Sequence, residues 1–509
     1  MTGPANILFI TSDQQRGDCY GFEGRRVKTP HLDEMARAGT RFSAAITPNL
    51  VCQPSRCSIL TRLLPLTRGV SDNGIDLPDA FAERGFARTL AKSGYATAAI
   101  GKAHFNTSHT FAPTGTPECR ESSAKYGPDW YGPYCGFDHV EMMLEGHNIW
   151  PPMAPPRGQH YERWYHADGR GEERTRLYHT KLPPFSDAHE TWNSALPLAW
   201  HNSTWIADRT IEFLRTHRDG PFCVWASFPD PHHPFDAPEP WCYMHHPDEV
   251  DIPAHRDLDL DRRPWWHRAS LEGRPKMADE GLRRFREKSS RTPHQSERQL
   301  RALIANYYGM ISLIDHQVGR LRLALRDLGL ADNTLIVYST DHGDWLGDHG
   351  LLLKGPMAYE GLLRIGMLFE GPGVPAGKTV ADPVSTLDLP QTFCDYAGTA
   401  LPGEVHSRSL RKLIEGGGES RDFARCEWEL RASRCGVDLA LRTVRTKRHK
   451  LTLELNTGAG ELYDLVEDPG EMENRFDDPA YAGVRRELSD MIASRPDDAC
   501  PPRPQVGMA

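Results

Sequence analysis

Four short apolar runs recur along the chain, and each is followed at once by acidic, basic or imidazole side chains. The runs are ANILFIT (5–11), YATAAIG (95–101), FCVWASF (222–228) and TLIVYST (334–340). Between them lie segments with helical periodicity at 31–42, 79–94 and 305–329, so strands are predicted to alternate with helices. This order is typical of an α/β protein with a large, mainly parallel sheet that is flanked by helices on both faces.

The polar side chains that follow the four runs predict a site at one edge of this sheet. They are Asp13 and Gln14, Lys102 and His104, His232, and Asp341 and His342. Ligands of open α/β sheets bind beyond the carboxyl ends of the strands, so we expect these distant clusters to meet. One such cluster alone would be an ordinary polar loop, whereas four together favour a site.

The pattern changes after about residue 395. The segments ARCEWELR, LALRTVRTKRHKLTLELN and GELYDLVEDPGE are typical of antiparallel strands joined by polar turns. We therefore predict a large α/β domain over 1–395 and a smaller C-terminal α+β domain with an antiparallel sheet over 396–509.

Two long stretches, 105–200 and 236–300, fit no regular element and are predicted to be binding loops or peripheral packing. The first of them is rich in aromatic side chains, which could line a ligand pocket or simply pack the loop. These aromatic residues are Trp130, Tyr131, Tyr134, Trp150, Trp164 and Tyr165.

Composition excludes several classes of protein. The formal net charge of −9 argues against a nucleic-acid partner, and no apolar run approaches the ~20 residues of a membrane helix. Eleven cysteines in 509 residues are too few for a disulfide scaffold. The first residues carry no basic segment before Asp13, so we predict no signal peptide, no membrane partner and a cytoplasmic location.

The stretch VCQPSRCSILTR (51–62) makes Cys52 the most informative cysteine. Pro54 suits the first position of a helix, so a helix is predicted to begin at Pro54. This places Cys52 just before the helix N-terminus, where backbone amides favour an anion. Cys52 could be a buried thiol, a metal ligand, a disulfide partner or a residue that must be chemically changed. The oxygen and imidazole donors after the strands suit a hard or borderline divalent ion, and a plain thiolate suits such an ion poorly.

At this point the sequence resembles the sulfatases of the alkaline phosphatase superfamily. Residues 52–56 match their Cys-x-Pro-Ser-Arg signature in full, and 101–104 match Gly-Lys-x-His. Residues 231–234 match Pro-His-x-Pro, and 341–343 match the second metal segment, with Lys354 as its trailing lysine. The segment 460–474 matches the usual C-terminal segment. These matches follow the family's order, and the chain is most similar to the arylsulfatase and phosphonate monoester hydrolase kind.

The resemblance implies a sulfuric ester hydrolase that releases inorganic sulfate and an alcohol or phenol from a small sulfate monoester. It implies that a formylglycine-generating enzyme converts Cys52 to formylglycine and that one divalent metal ion is bound. We expect Ca²⁺ or Mn²⁺, with Mg²⁺ or Zn²⁺ as alternatives. The implied ligands are Asp13, Gln14, residue 52, Asp341 and His342. Gln14 stands where the family often has Asp, and His342 where many members have Asn, which favours Mn²⁺.

The family's other roles carry over to matching positions. Arg56 and Lys102 would hold the formylglycine, and Asn73 would lie beside the sulfate and the metal. His104 would break down the covalent intermediate, while His232 and Lys354 would serve the departing oxygen. The implied substrate-binding residues are Asn73, Lys102, His232 and Lys354.

Two other functions remain open from the sequence. The first is a phosphonate monoester or phosphodiester hydrolase of the same superfamily, and the second is a non-catalytic binding protein in which Cys52 is never modified. We also expect a homo-oligomer.

Overall fold

A computed structural model describes residues 4–144, 151–289, 293–401, 403, 406–419 and 421–508. Its strands are, in chain order, β1 (Asn6–Ser12), β2 (Thr40–Phe42), β3 (Ala45–Ile46), β4 (Ala96–Lys102), β5 (His139–Met143), β6 (Lys181–Leu182), β7 (Asn193–Ser194), β8 (Phe222–Ser227), β9 (Thr334–Thr340), β10 (Met367–Glu370), β11 (Lys378–Val380), β12 (Val384–Ser385), β13 (Ala424–Leu430), β14 (Leu439–Arg445), β15 (His449–Glu454) and β16 (Ala459–Asp464).

The α-helices lie between these strands. They are α1 (Pro30–Ala38), α2 (Cys52–Thr61), α3 (Pro65–Arg68), α4 (Asp79–Ala82), α5 (Phe86–Lys92), α6 (His160–His166), α7 (Gly171–His179), α8 (Asn202–Thr216), α9 (Trp265–Glu272), α10 (Glu280–Ser289), α11 (Glu297–Asp327), α12 (Glu360–Leu363), α13 (Leu389–Tyr396), α14 (Arg411–Glu415), α15 (Ala432–Cys435) and α16 (Ala482–Ala493). No helix in the described part of the chain is long and apolar enough to cross a membrane.

The main sheet has eight strands in the order β11-β2-β10-β9-β1-β8-β4-β5. Neighbouring strands are parallel except at β10, which runs antiparallel to both β9 and β2. The four strands predicted from the apolar runs correspond to β1, β4, β8 and β9, and they lie next to one another in this order: β9, β1, β8, β4. The prediction of a mainly parallel sheet flanked by helices is confirmed.

Both faces of the main sheet are buried, which explains why its central strands are continuously apolar. On β1, Ile7 and Phe9 belong to one hydrophobic core, and Leu8 and Ile10 belong to the other. Helices α2, α5 and α13 pack into the first core, and α1, α8 and α11 pack into the second. Because helices pack on both faces of the sheet, the ends of its strands are held in fixed positions.

Three helix boundaries differ from the sequence prediction. The helix predicted over 31–42 ends at Ala38, and Thr40–Phe42 forms β2 instead. The backbone leaves the helix at Gly39 and pairs with β10. A Cβ at Gly39 would lie 1.9 Å from the Phe369 carbonyl oxygen, so only glycine allows this close approach. The segment predicted as one helix over 79–94 forms α4 and α5. The long helix predicted from residue 305 begins earlier, at Glu297, after a capping box at Ser296.

The stretches predicted to lack regular structure contain short regular elements: strands β5, β6 and β7 and helices α6 and α7 in 105–200, and helices α9 and α10 in 236–300. Seven- to ten-residue helices are too short to give a clear periodic pattern. The aromatic side chains of the first stretch mainly pack: Tyr165 is buried, and Trp130, Tyr134 and Trp164 lie against the two cores. Tyr131 is 42% exposed. Trp150 lies outside the described residues.

The C-terminal region contains a four-stranded antiparallel sheet in the order β13-β14-β15-β16. The three segments predicted as antiparallel strands are confirmed as β13 to β16. Helix α16 packs on this sheet through Leu488 and Ile492. The domain boundary predicted at 395/396 falls at the end of α13 and stays a prediction.

Candidate active site

Asp13 and Asp341 meet because β1 and β9 are parallel neighbours. Ser12 pairs with Thr340, so the residue after each strand emerges at the same edge of the sheet. Both carboxylates are fully buried. Ligand atoms of Asp13, Cys52, Asp341 and His342 all lie within 4.8 Å of one another. The convergence predicted for the strand ends therefore brings three of the predicted metal ligands together around position 52.

Helix α2 presents Cys52 to this cluster. Val51 is the N-cap and Cys52 is the first helical residue, so the helix begins two residues before Pro54 and the prediction that Cys52 precedes the helix is wrong. The first turn of a helix has unpaired amides, which lets Pro54 occupy its third position without losing a hydrogen bond. All ten residues of α2 are buried. Ser55 Oγ anchors the helix by donating to the Asp341 carbonyl at 2.7 Å.

Asn73 lies beside the same helix N-terminus. Its side-chain Oδ1 accepts a hydrogen bond of 3.1 Å from the backbone amide of Gln53, the residue after Cys52. The structure thus places the predicted substrate residue Asn73 one residue away from the predicted nucleophile.

The Cys52 sulfur is surrounded by polar groups. Lys354 Nζ lies 3.0 Å from Sγ, His342 Nε2 lies 3.1 Å away, and Asp13 Oδ1 lies 3.6 Å away. Burial opposes ionisation of this thiol, but the cations of Lys354 and Lys102 outweigh it and bring the pKa of Cys52 well below its usual range. Burial instead raises the pKa of Cys57, five residues along the same helix, to about 12. Position 52 is therefore built for an anion or a polarised oxygen, and position 57 is not.

Arg56 ties the two sides of the site together. Its Nη1 lies 3.3 Å from Asp341 Oδ2, and its Nε donates to the Ala103 carbonyl at 2.8 Å. It also donates to the Lys102 carbonyl and to Ser227 Oγ. Among the described residues Arg56 makes no hydrogen bond to Cys52. Its contacts are with the Asp341 carboxylate and with the ends of β4 and β8.

Lys102 forms an ion pair with Asp13 Oδ2. Burial by itself would raise the pKa of Asp13, but Lys102, His232 and Lys354 overcome that effect and lower it well below its usual range. The Asp13 carboxylate is therefore ionised at neutral pH and available as an oxygen ligand.

Gln14 adopts a left-handed backbone conformation with φ of +65°. Its Nε2 donates to Asp344 Oδ2 at 2.6 Å, and its Oε1 accepts from Lys354 at 2.9 Å. The oxygen end of this amide therefore faces the centre of the site. Asp344 stands three residues after Asp341, within the same cluster, but is not one of the predicted site residues.

His104 lies beside Cys52 at the end of β4, also with a positive φ of 55°. Neither ring nitrogen has a hydrogen-bond partner among the described residues, and both atoms are buried. Burial lowers the pKa of His104, with a further contribution from Lys102 that Cys52 partly opposes. A neutral imidazole in this position can accept a proton.

Glu118 holds the backbone that follows His104, a role that sequence reasoning missed. Its Oε1 accepts from the amides of Phe105 at 3.1 Å and Asn106 at 3.0 Å, and from Tyr134 Oη at 2.7 Å. Burial raises the pKa of Glu118 to about 7 despite these bonds. The Gly-Lys-x-His motif ends at His104, so no part of this motif indicated a role for Glu118.

His232 follows β8 and approaches the cluster from a third side. Its Nδ1 lies 2.7 Å from the His233 carbonyl oxygen, so the Nδ1–H donates to that oxygen. The neutral imidazole then carries its lone pair on Nε2. His233 in turn contacts Glu190, with Nδ1 2.6 Å from Oε2. Burial is the largest cause that lowers the pKa of His232 well below its usual range, and Lys354 adds to it.

The donor set suits a divalent cation. Two carboxylates and one imidazole lie within 4.8 Å of one another, and Lys354 links the oxygen of Gln14 to this group. Oxygen-rich sets with a single imidazole fit hard or borderline ions. His342 Nδ1 lies 2.8 Å from the Gly343 carbonyl, which orients Nε2 toward Cys52 and the carboxylates.

Comparison with known proteins gives a consistent picture. The family model described as Sulfatase matches residues 5–399, and the model described as N-sulphoglucosamine sulphohydrolase, C-terminal, matches residues 347–497. An arylsulfatase of Clostridium perfringens (strain 13 / Type A) is 28% identical over 495 residues, which cover 94% of this chain and 91% of that protein.

Two further proteins are similar to this chain over nearly their whole length. The multifunctional alkaline phosphatase superfamily protein PehA of Trinickia caryophylli is 26% identical over 531 residues, which cover 96% of this chain and 94% of that protein. The crystal structure of the phosphonate monoester hydrolase of Agrobacterium radiobacter has a TM-score of 0.76 and 26% identity, and the match covers 96% of this chain and 95% of that one. The chain therefore belongs to the sulfatase family of the alkaline phosphatase superfamily and is, as its sequence predicts, a hydrolase of the sulfuric ester class.

Proposed function

We propose that the protein hydrolyses sulfate monoesters with a formylglycine made from Cys52 and one divalent metal ion. The observation that carries this proposal is the convergence of Asp13, Asp341 and His342 on the first residue of a buried helix, within 4.8 Å. A simple structural cysteine would be surrounded by apolar side chains, as Cys57 is. Position 52 instead meets two cations and two carboxylates, which is the environment that a polarised oxygen requires.

The burial of α2 sets a condition on this modification. Cys52 is 1% exposed and Arg56 is fully buried, so no enzyme can reach residues 52–56 in the folded protein. We therefore propose that a formylglycine-generating enzyme acts on the chain before this helix packs.

A formylglycine hydrate at position 52 would supply one hydroxyl to attack sulfur and a second whose later deprotonation expels sulfate. A divalent ion would lower the pKa of the attacking hydroxyl and neutralise the charge on the sulfate oxygens. Asp13, Asp341 and His342 would hold the ion, with Gln14 as a neutral ligand. Lys102, paired with Asp13, adds positive charge where the sulfate oxygens would lie.

Three side chains are placed for proton transfer. When the bond between sulfur and the ester oxygen breaks, that oxygen keeps the bonding electrons and needs a proton. Lys354, 3.0 Å from position 52, is the donor that the geometry favours. The lowered pKa of His232 leaves it mainly neutral, so it can donate from Nε2 only after taking up a proton. The neutral His104 is suited to remove the proton from the second hydroxyl.

Mass spectrometry and kinetics together test the proposal. The peptide with residue 52 should carry an aldehyde in place of the thiol, and the purified protein should hydrolyse a nitrophenyl sulfate. Exhaustive chelation should abolish turnover, and Mn²⁺ or Ca²⁺ should restore it. An active enzyme with an unmodified Cys52 thiol, or one indifferent to chelation, would contradict the proposal.

A second candidate is the hydrolysis of phosphonate monoesters or phosphodiesters. It is favoured by the similarity to the phosphonate monoester hydrolase of Agrobacterium radiobacter over 96% of this chain. Both ester classes present tetrahedral oxyanions, so one site can bind both transition states. A panel of aryl, sugar and choline sulfates assayed beside phenyl phosphonates would decide, because kcat/KM for the natural class should exceed the other clearly.

A further inference from the structure

The chain beyond α16 returns from the C-terminal sheet to the active-site side of the large domain. Three backbone hydrogen bonds fix residues 505–508, here called the tail clamp. Val506 N donates to the Gly74 carbonyl at 2.8 Å, and Met508 N donates to the His109 carbonyl at 3.0 Å. Phe111 N donates to the Val506 carbonyl at 2.8 Å. The tail clamp therefore lies between two loops of the large domain.

The contact between the tail clamp and these loops leaves no room for a side chain. A Cβ at Gly74 would lie 2.3 Å from the Gly507 carbonyl oxygen. A Cβ at Gly507 would lie 2.2 Å from the His109 carbonyl oxygen, and 2.7 Å from Thr107 Cγ2. Backbone groups cannot move aside as flexible side chains can, so this approach requires glycine on both sides.

Side chains also anchor the tail clamp. Ser433 Oγ donates to Gln505 Oε1 at 2.7 Å, and Arg286 Nη2 donates to the Met508 carbonyl at 2.5 Å. Arg286 is 5% exposed and Met508 is 2% exposed. A buried guanidinium that donates to a backbone carbonyl loses a charge-assisted hydrogen bond if that carbonyl departs, which favours the docked position.

Both loops that the tail clamp joins carry proposed active-site residues. Gly74 follows Asn73, whose Oδ1 accepts from the amide next to Cys52. The other loop, 105–111, follows His104 directly. The two loops also contact each other, because Thr107 N donates to Asp76 Oδ1 at 2.8 Å. The tail clamp thus completes a three-part support behind Asn73 and His104.

We propose that the tail clamp positions Asn73 and His104 for the reaction, an inference that rests on the proposed function of that site. The residues of the tail clamp touch neither position 52 nor the metal ligands, so they act through the two loops. A displacement of about 1 Å in a reacting group can cost roughly 100-fold in rate. Loss of the clamp should therefore lower kcat much more than it raises KM.

The test compares the full chain with a variant that ends at Pro504 and with Gly507→Ala. Hydrogen–deuterium exchange should rise in 72–77 and 105–111 of both variants and remain unchanged in the strands of the main sheet. In the nitrophenyl sulfate assay kcat should fall about tenfold or more. A synthetic peptide of residues 503–509 should restore kcat to the truncated enzyme. Gly220→Ala is the matched control, since no atom lies within 4 Å of its added Cβ.

The outcomes separate this inference from the proposed function. Unchanged exchange in both loops after truncation overturns the inference, whatever the enzyme hydrolyses. Unchanged kcat in an active truncated enzyme also overturns it. An intact protein that fails to hydrolyse any ester counts against the proposed function alone, because the exchange measurement still decides the position of the loops. A general rise in exchange over the whole sheet would show a folding defect instead of a positioning role and would overturn the inference as well.

Discussion

The side-chain amide of Gln14 donates to Asp344 Oδ2 at 2.6 Å, and this contact, together with the bond from Lys354 Nζ to Gln14 Oε1, determines which end of the amide faces the site. Asp344 is fully buried, and its other oxygen, Oδ1, accepts from the amides of Leu346 and Leu353. Burial raises the pKa of Asp344, and the hydrogen bonds from Gln14 and from the Leu346 amide oppose that effect. The ionised carboxylate can only accept and the Lys354 ammonium can only donate, so the Gln14 nitrogen points toward Asp344 and the oxygen toward Lys354. The contact with Asp344 therefore turns the oxygen of the Gln14 amide, and not its nitrogen, toward the metal site.

The first prediction concerns this pair. Asp344→Asn can offer an N–H to Gln14, which allows the Gln14 amide to turn its nitrogen toward the site. We expect the affinity for the divalent metal to fall about 10- to 100-fold, the usual effect of losing a partner that orients a ligand. Titration of the metal-free protein with Mn²⁺ measures this. Asp348→Asn, which changes a partner of Arg16 outside the site, is the control. Equal affinities in Asp344→Asn and wild type would contradict the assignment of Gln14 as an oxygen ligand.

The second prediction contrasts two cysteines of one helix. Cys52→Ala should abolish turnover and leave the thermal unfolding midpoint nearly unchanged, because position 52 lies at a polar site. Cys57→Ala should keep turnover and lose about 1 kcal/mol of stability or more, because Cys57 packs in the hydrophobic core. Activity assays and thermal melts of both variants provide the measurement. Residual turnover above background in Cys52→Ala would rule out a nucleophile derived from that residue.

The third prediction concerns His104. If its neutral imidazole removes the proton that allows sulfate to leave, His104→Ala should complete one fast turnover and then stall. Pre-steady-state release of nitrophenol should show a burst close to one equivalent per active site, and intact mass should show a trapped sulfated enzyme. The absence of both a burst and an adduct would mean that His104 does not serve the second step.

The fourth prediction concerns Lys354 and the leaving group. Lys354→Ala should slow esters of poorly acidic alcohols far more than activated nitrophenyl esters, since the latter depart without a proton. A plot of log kcat/KM against the leaving-group pKa should become steeper in the variant. An equal loss for all esters would instead mean that Lys354 binds the sulfate or holds Gln14 in place. Lys354 Nζ donates to Gln14 Oε1 at 2.9 Å.

The fifth prediction concerns the pH dependence of stability. Burial raises the pKa of Glu118 from 4.5 to about 7. Between these values the folded protein retains a proton that the unfolded chain has released, so this stabilisation is complete below pH 4.5 and is lost as the pH rises through 7. The two pKa values correspond to about 3 kcal/mol. The free energy of unfolding of Glu118→Gln should therefore fall less than that of wild type between pH 4.5 and 8.

Denaturant unfolding at a series of pH values tests this difference. Other titrating groups cancel when the two proteins are compared at the same pH. Glu121→Gln changes a glutamate whose side chain is 54% exposed and should follow the wild-type curve. Parallel curves for Glu118→Gln and wild type would show that burial does not perturb Glu118 in the folded protein.

The sequence determined the elements that depend on local patterns. The apolar runs at β1, β4, β8 and β9 identified the centre of the sheet, because strands buried on both faces must be continuously apolar. The polar residues at their ends identified the site, because parallel strands release their next residues at one edge. The Cys-x-Pro-Ser-Arg segment identified position 52 as chemically special, because residues 52–56 match the signature of the sulfatases in full.

Only the tertiary structure decided the contacts between residues that are distant in sequence. The orientation of Gln14 depends on Asp344, 330 positions away, and the backbone after His104 depends on Glu118. Arg56 matched a motif, yet its partner Asp341 became visible only in the fold. Residues 505–508 carry no motif at all, and their place against Gly74 follows from how the C-terminal sheet docks. Local patterns encode which side chains are buried or near a strand end, whereas hydrogen-bond partners across the core are set by packing that no single segment contains.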